Sequence, residues 1–400
     1  MRIQVATLNV WALPEPFAPD VLPRMEAIGD RFADSPADVI ALQEVWSGAA
    51  RDVLLRKAEA AGYREHWYLG GAIGRSGLMV ISRLPILEAD FEPFNLSGTL
   101  EQFDNGEYLS GKGFVRLRLQ GSDGPVSFIN THLHARYKRR VAHAFTSHRV
   151  GQLVQLAGRI RDIEDPVILT GDFNFDEAAP EYGVLSGLTG VRDVALEYGD
   201  PLPTLMRSNA YRYRPTHQRS ERRVDYVFVR DGIATALRPT EVDRVFDETI
   251  AFDGRAAAYS NHAGVYAEFE AEPVAVARRC RLSSRAIELA ASLLSDGREE
   301  AYQRRANSRT YAGVGMACAV LALAGERTEV ATRRRFLKRG LRLSAVAAVT
   351  PTIGGSLMSE WVLPNELSAF ALAERRLDQL EQLDQLEQRE EDLDGSVVSS

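Results

Sequence analysis

Only two cysteines occur in the 400 residues, Cys280 and Cys318. Two thiols cannot build a disulfide framework, and their spacing suits no metal-ligand motif. Lysine is nearly absent as well: Lys57, Lys112, Lys138 and Lys338 are the only four, so the cationic side chains are almost all arginine. Positive charge is not in excess. With 48 Lys and Arg against 55 Asp and Glu the net charge is −7, which excludes a chain built as a whole to coat DNA. The opening Met1-Arg2-Ile3-Gln4-Val5 reads as a strand and lacks the charged-then-apolar pattern of a leader, so a secreted precursor is not expected. No glycine-rich phosphate loop follows that strand, which argues against a nucleotide-cofactor fold. No uncharged stretch reaches the roughly 20 apolar residues that a membrane span needs. The two nearest, Thr310–Gly325 and Leu343–Ser359, are short or diluted by Gly, Ser, Thr and Pro351. What is present is 45% hydrophobic and 26% charged residues, enough for a sizeable core and too apolar for overall disorder.

Charge and histidine divide the chain. Residues 271–342 hold 15 basic and 7 acidic side chains, and residues 343–400 hold 3 basic and 11 acidic. The two parts of the tail cancel, so residues 1–270 carry the whole negative charge, and all seven histidines lie there as well. Composition therefore separates a His-bearing front, residues 1–270, from a His-free tail, residues 271–400, with the boundary near Glu270–Arg278. In the tail, Arg333-Arg334-Arg335-Phe336-Leu337-Lys338-Arg339 links the two weakly apolar stretches. Two readings stay open: buried or surface helices joined by a solvated loop, or a membrane-dipping hairpin whose basic link stays cytoplasmic. At the end, Leu377, Leu380, Leu383 and Leu386 repeat every three residues, a period that drifts around a helix and predicts a polar helix or weak coiled coil.

The front alternates β-rich runs with helical patterns. Strands are expected at Ile3–Asn9, Asp38–Glu44, Gly77–Ser82, Gly113–Leu119, Val126–His132, Pro166–Gly171, Arg223–Val229 and Gly264–Phe269, and helices at Val21–Phe32, Ala49–Ala61 and Arg139–Asp162. Strands outnumber helices, and turn signals such as Asp123-Gly124-Pro125 separate them. That pattern predicts an α/β fold of two packed sheets flanked by helices rather than a doubly wound sheet.

Polar groups able to meet at one site stand at the ends of these strands. They are Asn9, Glu44, His132 and His134, Asp172 and Asn174, Asp225, and the pair Asn261-His262. Hard Mg²⁺ prefers a few carboxylate oxygens, and an imidazole can take the proton of an attacking water. Together they are the needs of metal-assisted phosphoester hydrolysis. Each residue alone has a bland reading: a buried Glu or Asn is usually a satisfied structural group, and Gly171-Asp172-Phe173-Asn174 suits a simple turn. Their order and spacing make the set specific.

The ordered pieces Leu8-Asn9-Val10, Leu42-Gln43-Glu44, Thr131-His132-Leu133, Gly171-Asp172-Phe173-Asn174, Arg223-Val224-Asp225-Tyr226 and Ser260-Asn261-His262 resemble the endonuclease/exonuclease/phosphatase superfamily over about residues 1–270. Within it the chain is most similar to the neutral, Mg²⁺-dependent sphingomyelinases, through Asn9-Val10-Trp11, Gln43-Glu44-Val45-Trp46, Gly77-Leu78, Ser110-Gly111-Lys112-Gly113, Asn130-Thr131-His132-Leu133-His134-Ala135 and His148-Arg149-Val150. The Cys-Asp-Arg ending of inositol polyphosphate phosphatases is missing, and Val10-Trp11 stands where apurinic endonucleases usually have Gly and Arg.

The resemblance implies a DNase I-like four-layer sandwich of two mostly antiparallel sheets, followed by an α-helical tail. It implies hydrolysis of sphingomyelin to ceramide and phosphocholine, with Mg²⁺ as cofactor and Mn²⁺ as a substitute. Glu44 becomes the principal metal ligand with Asn9 beside it, Asp172 and Asn174 position water and phosphate, and His262 is the base. His132 is the acid or a phosphate partner, and Asp225 orients a histidine. His134 and Lys112 match the pattern as substrate-binding residues without an assigned step. The expected partner is a phospholipid or sphingolipid at a membrane surface, on the cytoplasmic side, with Trp11, Trp46, Phe94 and Phe103 as candidate lipid contacts.

In one place the chain departs from the family pattern: Asn261 stands where the family has Asp. An amide lacks the charge that raises the histidine pKa or supports the metal, which predicts a slowed or metal-hungry enzyme. A nuclease of the same fold, gripping a backbone through Arg136-Tyr137-Lys138-Arg139-Arg140, and a silent membrane-associated protein are the competing expectations.

Overall fold

In a computed structural model, residues 2–69, 76–97, 111–136, 145–199, 201–212, 220–274, 280–328 and 334–398 are described, side chains from 391 onward excepted. Phe103, Ser110, Tyr137–Arg140, His143, His217 and Arg333 lie outside the described residues.

All eight expected strands form. In chain order the front reads β1 (Arg2–Ala12), α1 (Val21–Asp30), β2 (Val39–Val45), α2 (Gly48–Ala60), β3 (Glu65–Leu69), β4 (Leu78–Ser82), β5 (Ile86–Pro93), β6 (Gly113–Gly121), β7 (Gly124–His132), α3 (Thr146–Arg161), β8 (Val167–Asp172), α4 (Pro180–Thr189), β9 (Arg192–Asp193), α5 (Val194–Tyr198), β10 (Asp225–Arg230), β11 (Thr235–Val245), β12 (Thr249–Phe252), β13 (Arg255–Ala258) and β14 (Gly264–Pro273). The strands that the alternation pattern misses include the edges β3, β5, β9 and β11. β5 and β11 carry Pro and many charges, which suit an edge whose outer backbone faces water.

Two six-stranded sheets result, in the orders β11-β14-β1-β2-β4-β3 and β5-β6-β7-β8-β10-β9. Each has a single parallel pair at its centre, β1 with β2 and β7 with β8, and is antiparallel elsewhere. Alternate side chains explain the layers. Val5, Val39, Val115, Phe128, Ile168 and Val227 pack between the sheets, whereas Leu8, Ile40 and Leu42 face Met25 and Ile28 of α1 and Leu54 of α2. Ile129 and Leu169 face Val150 and Leu153 of α3.

After β14 the regular elements among the described residues are helical: α6 (Ser284–Glu326), α7 (Arg335–Leu357), a π-helical turn (Met358–Val362) and α8 (Leu363–Val398). Most of the basic link, expected as a loop, belongs to the first turns of α7. Ala290 and Leu294 of α6 and Phe370, Leu377 and Leu380 of α8 are buried in the same cluster as α3 and α4, so the tail completes the outer face of the second sheet. Removing the Phe370 ring from such a site costs about 3–5 kcal/mol. The drift of the leucine repeat is visible: Leu377 and Leu380 are buried, while Leu383 and Leu386 are about half exposed.

Beyond Ser308, α6 pairs with α7 as a hairpin. A Cβ on Gly315 would meet Thr352 Oγ1 at 2.5 Å, and one on Gly355 would meet Ser308 O at 2.5 Å, so glycine sets the close approach. The outer faces are apolar and open, with Leu321 and Leu343 each 71% exposed and Phe336 89%. Helix runs unbroken from Arg335 to Glu390, and this is the one described helix long and apolar enough to cross a membrane, by length and composition. Sequence punctuation at Pro351 and Gly354-Gly355 had suggested a weaker segment.

Candidate active site

The carboxyl ends of the two parallel pairs meet across the sandwich. β1 and β2 stay in register to Asn9↔Gln43, where a bulge breaks the ladder. Trp11 (φ 49°) and Glu44 (φ 62°) there adopt left-handed backbone, which is rare for bulky residues and characteristic of functional sites. In the second sheet His132 pairs with Asp172 and Asp172 with Asp225, which sets three polar side chains side by side. Gly171 is required for this: a Cβ there would lie 1.9 Å from Thr131 O. A buried bridge ties the sheets together, Gln43 Nε2 donating to Asn130 Oδ1 at 2.8 Å and Asn130 Nδ2 to Leu42 O at 3.1 Å. Gln43 and Asn130 are positioning residues that the motif strings contained without revealing why.

The candidate residues converge. Asn9 Nδ2 donates to Glu44 Oε1 and to Asp172 Oδ2, both at 3.0 Å. Its amide bridges the two carboxylates, and its Oδ1 accepts from Trp11 N at 2.9 Å. Asp172 Oδ1 accepts from the Asn174 backbone N at 3.0 Å, and Asn174 Nδ2 donates to Leu133 O at 3.1 Å. Lys112 Nζ reaches His132 Nε2 at 3.0 Å and Leu133 O at 2.9 Å. His262 Nδ1 lies 2.9 Å from Asp225 Oδ2.

Burial and neighbouring charge set the protonation. Burial, then Lys112 and the other imidazoles, hold His132 well below the ordinary histidine range. Burial opposes charge on His262 too, but Asp225, with Asp172 and Glu44 adding to it, pushes this ring up to about 9. Burial and the nearby Asp225 raise the Asp172 carboxyl.

Asn261 and His134 lie at the margin of this cluster. Asn261 Oδ1 contacts Ser260 Oγ at 3.4 Å, and the carboxylate on His262 is Asp225. His134 is fully buried with its ring stacked on Phe145, centroids 4.5 Å apart, facing α3. Of the candidate lipid contacts, Phe94 is buried against Phe114 and is a core residue, while Trp11 and Trp46 are half-buried. Arg24, missed by the sequence reading, is buried beside Trp11 and donates to Val10 O at 2.7 Å, bracing the bulge.

Glu44, His132 and Asp172 form one set with ligand atoms within 4.8 Å of one another, and Asp172, Asp225 and His262 form a second. Glu44 Oε2, Asp225 Oδ1 and His132 Nδ1 are buried without a hydrogen-bond partner. Orphaned oxygens on a carboxylate cluster are what a hard divalent cation satisfies, so the residues fit one.

Residues 6–262 match the profile of the Endonuclease/Exonuclease/phosphatase family. The chain belongs to that family. Among curated relatives, it is 28% identical over 281 residues to a Drosophila melanogaster protein provisionally named a neutral sphingomyelinase, covering 68% of this chain and 62% of that one. It is 32% identical over 203 residues to sphingomyelin phosphodiesterase 2 of Homo sapiens, covering 50% of this chain and 47% of that one. The chain thus spans about half to three fifths of the length of these relatives. The fold is shared with the solved structure of SmcL at a TM-score of 0.55 and 19% identity, over 67% of this chain and 98% of that one. Within this family the four-layer sandwich of the front is the expected architecture.

Proposed function

We propose that the chain is a Mg²⁺-dependent phosphodiesterase of phospholipase C type that hydrolyses sphingomyelin to ceramide and phosphocholine by in-line attack of water. The carrying observation is the pair of donor sets that share Asp172, each of two carboxylates and an imidazole, the second containing the hydrogen-bonded Asp225–His262 pair. The names of the relatives support the lipid reading.

Glu44 and Asp172 are the residues to hold the cation. When bound, it supplies positive charge that offsets the charge growing on the phosphate oxygens and lowers the proton affinity of His262. Asp225 fixes His262 through Nδ1, leaving Nε2 to take a proton from water. His132, kept neutral, accepts from Lys112, so the Lys112 ammonium is the charged donor on the side of the phosphate or leaving group. Asn174 and Asn9 hold the carboxylates and the Leu133 carbonyl in place. Catalysis resides in residues 1–270, and the tail over 271–400 attaches the enzyme to a membrane on its cytoplasmic side through the α6–α7 hairpin. Lying along the surface, its uncharged arms, roughly 24 Å long at 1.5 Å per residue, press their open apolar faces on the lipid while the basic cluster at Arg334–Arg342 meets the headgroups.

The test is release of phosphocholine from sphingomyelin in mixed micelles, with and without Mg²⁺ and beside His262→Ala. Release that needs both Mg²⁺ and His262 supports the proposal. No release from sphingomyelin, with turnover of plasmid DNA or of no phosphodiester, overturns it in favour of a nuclease or a silent member of the family.

A further inference from the structure

The segment that follows β7 is held from both sides. On the catalytic side, Leu133 O accepts from Lys112 and Asn174, and Leu133 N donates to Asp172 O at 3.0 Å. On the far side, α3 grips the next residue: His134 N donates to Gln152 Oε1 at 3.0 Å, and Arg149 Nη1 donates to His134 O at 3.2 Å. The His134 ring lies against Phe145 and 5.7 Å from the ring of His148. His148 then leaves the catalytic unit. Its Nε2 lies 3.0 Å from Glu366 Oε1 on α8, and its ring meets Phe370 edge-on at 5.2 Å. Glu366 is also ion-paired with Arg304 of α6. His148 and Glu366 are both more than nine-tenths buried.

This arrangement is specific in its chemistry. A buried carboxylate costs free energy unless it is paired and hydrogen-bonded, and here its two partners come from two other helices, His148 from α3 of the front and Arg304 from α6 of the tail. The contact sits two helical turns or less from the π-helical turn that joins α8 to the hairpin arm α7, and Arg304 sits just before the arm of α6. The residues that fix His148 therefore stand at the root of the apolar hairpin.

We infer that the helical tail is a positioning element of the active site: Glu366, held by Arg304, fixes His148, which with Phe145 clamps His134 and so sets Leu133 between Lys112 and Asn174. The inference rests on the proposed phosphodiesterase reading for its kinetic readout only. His148 and Glu366 touch no reacting atom and act through the His132–Ala135 segment. Coupling through such a packed chain is typically worth a few-fold to about thirty-fold in rate or affinity.

The experiment uses the full-length chain. Glu366→Gln keeps the size of the side chain and removes its charge, and Arg304→Gln removes the partner whose side chain is 26% exposed, which keeps a readable variant if the first does not fold. Arg161→Gln is the control, because it breaks tail contacts to Asp384 and Glu387 away from His148. Turnover of a water-soluble phosphocholine ester and amide hydrogen exchange over 132–136 are measured together. The expected result is a fall in kcat of about 10-fold with KM little changed, and faster exchange at 132–136, for Glu366→Gln and Arg304→Gln but not for Arg161→Gln. Unchanged exchange and kcat within twofold of the parent overturn the inference, as does an equal effect from Arg161→Gln. If the parent itself turns over no phosphodiester, the functional reading fails while the exchange data still decide the coupling.

Discussion

His262 turns its two ring nitrogens to two different carboxylates: Nδ1 lies 2.9 Å from Asp225 Oδ2, and Nε2 lies 4.0 Å from Asp172 Oδ2. The first contact orients the ring. The second leaves room beside Asp172, on the side where Glu44 and His132 also gather. One histidine is thereby aimed at the carboxylate that both donor sets share.

Asp225→Asn tests that relationship. In chelator-treated protein the His262 imidazole, followed by NMR, is expected to titrate near 9 in the parent and to move down toward the ordinary value of about 6.5 in the variant. The sign follows from the loss of the carboxylate that favours the protonated ring. Turnover with Mg²⁺ should fall by about 10²- to 10⁴-fold, the range for losing an oriented general base. A titration that stays near 9 removes Asp225 from this role.

Asn261→Asp probes the departure from the family pattern. Asn261 contacts Ser260, and Asp225 already supplies the carboxylate on His262, so the added charge acts from a half-exposed position. The Mg²⁺ concentration for half-maximal rate should drop by about two- to fivefold, the size of a solvent-screened charge interaction. No change in metal requirement or in rate shows that the amide at this position is neutral for catalysis.

Gly355→Leu places a side chain where Gly355 meets Ser308 O and Ala312. The hairpin arms should separate, and co-sedimentation with phosphatidylcholine–sphingomyelin vesicles should weaken. Turnover of a soluble phosphocholine ester should stay near the parent value, because the change lies beyond the part of α6 that packs on α3. Vesicle binding equal to the parent counts against hairpin-mediated attachment.

Tail docking should be sensitive to acid. Burial alone would raise the Glu366 carboxyl, but hydrogen bonds and charge from His148 and Arg304 hold it below the ordinary range. A carboxyl whose folded-state pKa is depressed adds stability above its unfolded value of about 4.3, and that stability is lost as pH falls through the folded value. Thermal unfolding between pH 6 and pH 3 should therefore fall more steeply in the parent than in Glu366→Gln, and parallel profiles would contradict the assignment.

Much of the site is legible in the sequence because its members stand at strand ends, where a run of β-branched and apolar residues stops at an Asn, Glu, His or Asp. Leu8-Asn9, Gln43-Glu44, Thr131-His132 and Gly171-Asp172 all read this way, and all four converge. The eight strands that carry or flank the site are buried and strongly patterned. Edge strands such as β5 and β11 escape notice because charge and proline, which protect an edge, erase the alternation. The roles of Lys112 and His134 were unreadable for a different reason. One is buried on His132 and the other on Phe145, and neither neighbour is close in sequence.

Composition, order of motifs and hydrophobic period are local properties, so the chain alone determined the sandwich fold, the set of candidate residues and the split between a His-bearing front and a His-free tail. Which imidazole stays neutral and which is held protonated depends on burial and on charges 20 to 37 residues away, Lys112 on His132 and Asp225 on His262. That the tail shares a core with α3 and sends Glu366 to His148, 218 residues distant, likewise has no local trace. Burial and long-range pairing exist only once the chain is folded, and tertiary structure alone decided them.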